Sequence, residues 1–168
     1  MDIRRVKTDE YVTVGEITVR AYRELFSGET LGTYETELLD VERRDRDSEV
    51  FVAVDDEDKV IGGITYVPGP GREMSEFTDP DAAGIRMLAV DPKRQGAGAG
   101  LGLTNWCIDR ARSAGRRRVV LHSTPFMAVA HHIYEQLGFM RTPKLDEWVH
   151  ETSNVEESLH LMCFTLEL

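Results

Sequence analysis

The stretch Leu88-Ala89-Val90-Asp91-Pro92-Lys93-Arg94-Gln95-Gly96-Ala97-Gly98-Ala99-Gly100-Leu101-Gly102-Leu103 restricts this chain more than any other. Beyond it Leu103, Cys107, Ala111 and Ala114 recur at helical spacing, so a helix opens near the glycines and stops at Gly115. Inside that helix Gly100 and Gly102 each cost about 1 kcal/mol relative to alanine. Two arrangements offset the loss. Bare backbone lets an anion such as a diphosphate reach the first-turn N–H groups at the positive end of the helix dipole. Alternatively, small residues let the helix pack close against a sheet.

Two phosphate-binding patterns fail on this turn. A P-loop needs Gly-Lys-Ser/Thr after its glycines, and no such tripeptide exists in the chain. The G-x-G-x-x-G dinucleotide pattern ends on Leu101 when counted from Gly96 and on Leu103 when counted from Gly98. Nor does the following strand close on an acid, since His122 follows Leu121.

Around the turn, the element pattern predicts one α+β domain over residues 1–168. A strand at Ile3 to Val6 precedes a helix from about Asp9 to Phe26 that ends at Gly28, and a second helix covers Thr33 to Arg43. Val50 to Val54 and Val60 to Val67 read as a hairpin joined by the polar Asp55 to Lys59. Pro68 to Ala82 is loop chemistry, long enough to suggest a role. Strand Ile85–Val90, helix Gly98–Ala114, strand Val119–Leu121 and helix Ala128–Leu137 follow, then β-like runs at Glu147–His150 and Leu159–Leu168. A crossover helix between strands implies a parallel pair, so the central sheet is mixed: antiparallel N-terminal strands, then a parallel pair, flanked by about four helices.

Charge bounds the partners. Twenty Lys+Arg against thirty Asp+Glu give a net charge of −10, which disfavours nucleic acid and would suit a cationic partner or simply solubility. No run approaches the roughly 18 apolar residues of a membrane span, and the polar start suggests a cytoplasmic protein with no membrane association. Cys107 and Cys163 lack metal-ligand spacing and read as buried free thiols, so no metal is expected.

Gln95-Gly96-Ala97-Gly98-Ala99-Gly100, with Val90-Asp91-Pro92 upstream, satisfies Q/R-x-x-G-x-G/A and resembles the acyl-CoA signature of the GNAT superfamily of N-acetyltransferases. Ala130, Tyr134, Gly138 and Phe139 resemble the A-x-x-x-Y-x-x-x-G-F segment that follows the next strand in that superfamily. The resemblance is specific over about Val50 to Arg141. It implies a GNAT-like domain with a splayed parallel pair and an acetyl-CoA-dependent transfer to a primary amine of a small molecule or peptide, by direct attack in a ternary complex. A non-catalytic acetyl-CoA-binding or sensing domain is the alternative reading, and a homodimer is the common assembly.

By position, the resemblance implies that Leu88, Ala89 and Val90 face the pantetheine arm. Gln95, Gly96, Ala97, Gly98, Ala99, Gly100 and Leu101 then cradle the diphosphate, with Lys93 and Arg94 beside them. Tyr134 matches the tyrosine that acts as acid toward the departing thiolate, and a strand N–H near Leu88 serves the oxyanion. His122 stands where some members carry a glutamate base; water does that work in others. His131 and His132 read as exposed neighbours. The helix-start position often held by Asn is Met127. For the acceptor, Arg86 in an apolar strand can meet a carboxylate or form a structural ion pair, and Trp148, Tyr22 and Phe26 are aromatic candidates.

Overall fold

Val14, Ile17, Thr18, Ala21 and Tyr22 fall on one face of a helix and are all buried, which fixes how the first long element docks. The computed structural model describes residues 1–26, 31–150 and 158–168. Its elements are β1 (Asp2–Arg5), α1 (Tyr11–Leu25), α2 (Tyr34–Leu39), α3 (Val41–Asp47), β2 (Glu49–Val54), β3 (Val60–Val67) and β4 (Ala82–Val90). They continue with α4 (Ala99–Ser113), β5 (Arg118–Ser123), α5 (Ala128–Gln136), β6 (Met140–Arg141), β7 (Glu147–His150) and β8 (Ser158–Glu167).

The strands run in the order β1-β2-β3-β4-β5-β8-β6, with β7 paired to β8. Every neighbouring pair is antiparallel except β4–β5, so the mixed sheet with a single parallel pair stands as expected. One face carries α4 and α5 over Phe51, Ile64, Ile85, Leu103, Leu121, Tyr134 and Phe164. The other face carries α1, α2 and α3, with a valine cluster beneath α1 and α3 and a second cluster around Met87. Cys107 and Cys163 are buried and free.

Among the described residues five helices replace the expected four, because the second predicted helix is two. Asp40 leaves helical geometry at φ −81°, ψ 67°, and its side chain accepts the Arg43 amide at 3.0 Å, capping α3 as α2 ends. The predicted end of the first helix at Gly28 lies outside the described residues. Glycines set two close approaches. A Cβ on Gly15 would lie 2.9 Å from the Leu39 carbonyl oxygen, and one on Gly62 would lie 2.8 Å from that of Ala89, so neither position tolerates a side chain without movement. No helix is long and apolar enough to cross a membrane among the described residues.

Candidate active site

β4 parts from its parallel neighbour midway. Ala82, Ala83, Gly84 and Ile85 pair with Arg118, Val119, Val120 and Leu121, and there the pairing stops, whereas β4 runs on to Val90 and β5 to Ser123. On the antiparallel side Thr65 faces Arg86 and Gly63 faces Ala89, so Met87 and Leu88 together stand opposite Ile64 in a bulge. Met87 takes φ 52°, left-handed backbone that a residue with a side chain adopts at a cost. Its side chain is buried with Val19, Tyr22, Leu31 and Leu38, and that packing holds the strain in place. A wedge therefore opens between the two strands, walled on one side by residues 86–90.

The glycine turn borders this wedge. Gly96 (φ 86°) and Gly98 (φ 79°) both need left-handed backbone, and a Cβ built on either meets nothing within 4 Å. Gly98 caps α4, whose first hydrogen bond runs from Gly102 N–H to the Gly98 carbonyl at 2.9 Å. The amides of Ala99, Gly100 and Leu101 have no backbone acceptor among the described residues. Gly100 and Gly102 have the other use: a Cβ on Gly100 would sit 3.1 Å from Ile133 Cδ1, and one on Gly102 3.1 Å from Ile3 Cδ1. Both explanations of the glycines thus hold, each for a different pair. Asp91 shapes the approach by accepting the Lys93 amide at 3.0 Å and Arg20 at 3.1 Å. Arg94 pairs with Asp55, leaving Lys93 as the basic side chain of the turn without an acidic partner among the described residues.

Tyr134 projects from α5 into the core beside the wedge, its ring 5.7 Å from that of Phe139 and 5.8 Å from that of Phe164. Burial pushes its phenol well above the usual tyrosine range, so it stays protonated across physiological pH. Tyr22 of α1 is buried in the cluster around Met87.

His122 lies past the last parallel pair. Its Nε2 donates to the Leu145 carbonyl at 3.0 Å and its Nδ1 lies 3.3 Å from Glu76 Oε2. Burial disfavours the charge, but Cys163, Glu76 and the Leu145 carbonyl together outweigh it and push the imidazole up to about 10. The same glutamate pairs with Arg86 at 2.7 Å, so Arg86 forms an internal ion pair. Burial tends to raise the Glu76 carboxyl, yet the hydrogen bond to His122 and the charge of Arg86 hold it below its ordinary value.

His131 corrects the expectation of exposure. It is half-buried, its Nε2 lies 3.1 Å from Ser123 Oγ, and its ring sits 5.0 Å from that of Phe164. Burial lowers its pKa. Met127 caps α5 without a side-chain bond to the helix, and its sulfur accepts from Ser123 Oγ at 3.4 Å. Trp148 is exposed on β7 and stacks on His160 at 4.4 Å.

The sequence reading missed Glu76, Tyr34 and Arg44. An isolated cation in the apolar β4 called for a carboxylate nearby, which was the available signal for Glu76. Arg44 carried none, falling one residue past the helix expected over Thr33 to Arg43.

The Acetyltransferase (GNAT) family profile matches residues 19–139. Over the full length of both chains, the fold is similar to a ribosomal-protein-alanine N-acetyltransferase from Brucella melitensis, with TM-score 0.72 and 22% identity. It is also similar to yncA of Salmonella typhimurium, solved with acetyl-CoA. There the TM-score is 0.69 and the identity 23%, over 99% of this chain and 93% of that one. A curated mycothiol acetyltransferase from Cellulomonas flavigena is 31% identical over 93 residues, 55% of this chain. The chain spans only 27% of that relative's length.

Proposed function

Because the chain belongs to the GNAT acetyltransferase family, we propose that it moves an acetyl group from acetyl-CoA to a primary amine by direct attack. The observation that supports this best is the wedge itself: a strand that leaves its partner over a bulge, beside a helix start with three uncommitted amides. The open, left-handed turn at Gly96 and Gly98 fits a diphosphate, since no Cβ crowds the approach.

In this reading Leu88, Ala89 and Val90 hold the pantetheine arm through backbone groups. Gln95 to Leu101 hold the diphosphate, with Lys93 adding charge that the acidic surface does not supply. The Leu88 amide, turned by the bulge, donates to the acetyl carbonyl oxygen as charge develops there. Acetyl-CoA brings the thioester whose C–S bond breaks as the N–C bond forms. Tyr134, kept protonated by its burial, donates a proton to the departing sulfur.

The amine must first lose a proton. His122 is cationic at neutral pH, with Nε2–H committed to Leu145 and Nδ1 facing a carboxylate, so it has no lone pair to offer. We assign it to holding Glu76, and assign proton acceptance to solvent at the wedge.

The test is release of free coenzyme A thiol from acetyl-CoA against a panel of amino acids, polyamines, aminoglycosides and peptide N-termini, alongside thermal shift with coenzyme A. Amine-dependent thiol release is expected. Binding of coenzyme A with no release across the panel would remove the catalytic assignment.

A further inference from the structure

We propose that the acceptor carries a carboxylate as well as its amine, being an amino acid in the chemical sense, and that Arg86 receives this carboxylate in a field reinforced by buried Arg44. The proposal rests on the acetyl-transfer reading above and specifies its second substrate.

Arg44 is the largest fully buried side chain among the described residues, with a relative exposure of 1%. Its Nη2 donates to the Leu38 carbonyl at 3.0 Å and its Nη1 to Thr65 Oγ1 at 3.3 Å, while Nε is buried without a partner. No carboxylate pairs with it among the described residues. Burial draws its pKa down only to about 10, so it remains a cation at neutral pH. A buried charge met only by a carbonyl and a hydroxyl is costly.

Its neighbourhood compounds the imbalance. Thr65, which Arg44 contacts, stands directly opposite Arg86 in the β3–β4 ladder, so both side chains leave the same face of the sheet. Arg86 shares Glu76 with His122. Two cations, Arg86 and His122, thus share Glu76, while Arg44 beyond Thr65 is met, among the described residues, by no carboxylate closer than the influence of Asp40. In a protein whose net charge is −10, this is cationic ground that suits an anion.

Two tyrosines add polar groups near these cations. Tyr22 and Tyr34 bring their rings to 6.0 Å over this ground, and both phenols lie close enough to Arg44 and Arg86 for the cations to favour their ionised forms. Burial outweighs that pull and keeps both protonated, hence able to donate to a carboxylate. Tyr22 is buried in one cluster with Met87 of the bulge, so the cationic ground adjoins the strand that walls the wedge. An acceptor laid from one to the other has its carboxylate at Arg86 and its amine at the wedge. Net charge alone would suit a cationic partner or solubility, whereas this ground suits an anionic group.

The experiment compares matched acceptors on the intact protein with saturating acetyl-CoA, reading thiol release for each proteinogenic amino acid against its α-carboxamide, with spermidine as a carboxylate-free control. The best acid should exceed its amide in kcat/KM by about tenfold or more, the scale of one charge-assisted hydrogen bond. Arg86→Gln should bring that ratio toward one, chiefly through KM, and Arg86→Lys should restore part of it. Wild-type rates that are equal for acid and amide, or higher for spermidine, overturn this inference and leave acetyl transfer standing. Coenzyme A binding with no amine-dependent thiol release from any acceptor removes the acetyl-transfer reading and this inference together. The wild-type comparison decides the matter even if the variants do not fold.

Discussion

Glu76 Oε2 lies 3.3 Å from His122 Nδ1, which ties the Pro68–Asp81 loop to the end of β5. The imidazole's pKa is raised from 6.5 to about 10 in the folded chain, so the folded state holds a proton that the unfolded state releases across that interval. The stabilisation is complete below about pH 6.5 and is lost as pH climbs through 10. Melting temperature followed from pH 6 to 10 should fall more steeply for the native protein than for His122→Gln. Parallel curves would show that the pair contributes nothing.

Tyr134→Phe keeps the ring between Phe139 and Phe164 and deletes only the hydroxyl. Turnover should drop by about a hundredfold, in the range of a lost general acid, while the coenzyme A dissociation constant stays within a factor of two or so of its original value. A variant with undiminished kcat rules out the assigned proton donation.

Gly98→Val places a branched side chain at φ 79°. The strained backbone should cost about 1–2 kcal/mol of stability. The side chain also obstructs the α4 amides, so coenzyme A should bind at least about tenfold more weakly. Titration calorimetry measures the second effect directly, and unaltered affinity argues against a diphosphate at this turn. Gly100→Val offers a contrast, since its clash is with Ile133 and its main effect should be on stability.

Gly84→Ala tests the loop from beneath. The new Cβ would lie 2.6 Å from Phe77 Cε1 and 3.3 Å from Val67 Cβ, so Phe77 must move. Glu76 is its immediate neighbour, and the displacement should loosen the ion pairs to Arg86 and His122. Overpacking of this kind costs about 1–3 kcal/mol, and proteolysis within residues 68–81 should accelerate in step. Proteolysis at the native rate would mean that the loop is anchored elsewhere.

Much of the frame was legible because its signals are local. Hairpin chemistry at Asp55–Lys59, helical spacing from Leu103 to Ala111 and the glycine turn each specify structure within a few residues. What escaped depends on partners distant in the chain. The break at Asp40 falls between Leu39 and Val41 with no Gly or Pro to mark it, and appears only when α3 packs separately. Left-handed backbone at Met87 contradicts its residue type and survives because Val19, Tyr22, Leu31 and Leu38 enclose it. The pairing of Glu76 with both Arg86 and His122 joins three segments whose proximity follows from sheet order. Tyr134 could be singled out by its motif, whereas Arg44 had no motif to announce it.

Only four residue pairs join β4 to β5, yet that seam divides the sheet between its N-terminal strands and β5, β8 and β6. Resistance to shear along it is correspondingly small, and α4, which touches β2, β3, β4 and β5, acts as the splint. A molecule lodged in the wedge would bear on both halves at once. Pulled apart by force in a single-molecule experiment, the chain should yield first along this line, and occupancy of the wedge should raise the force at which it does so.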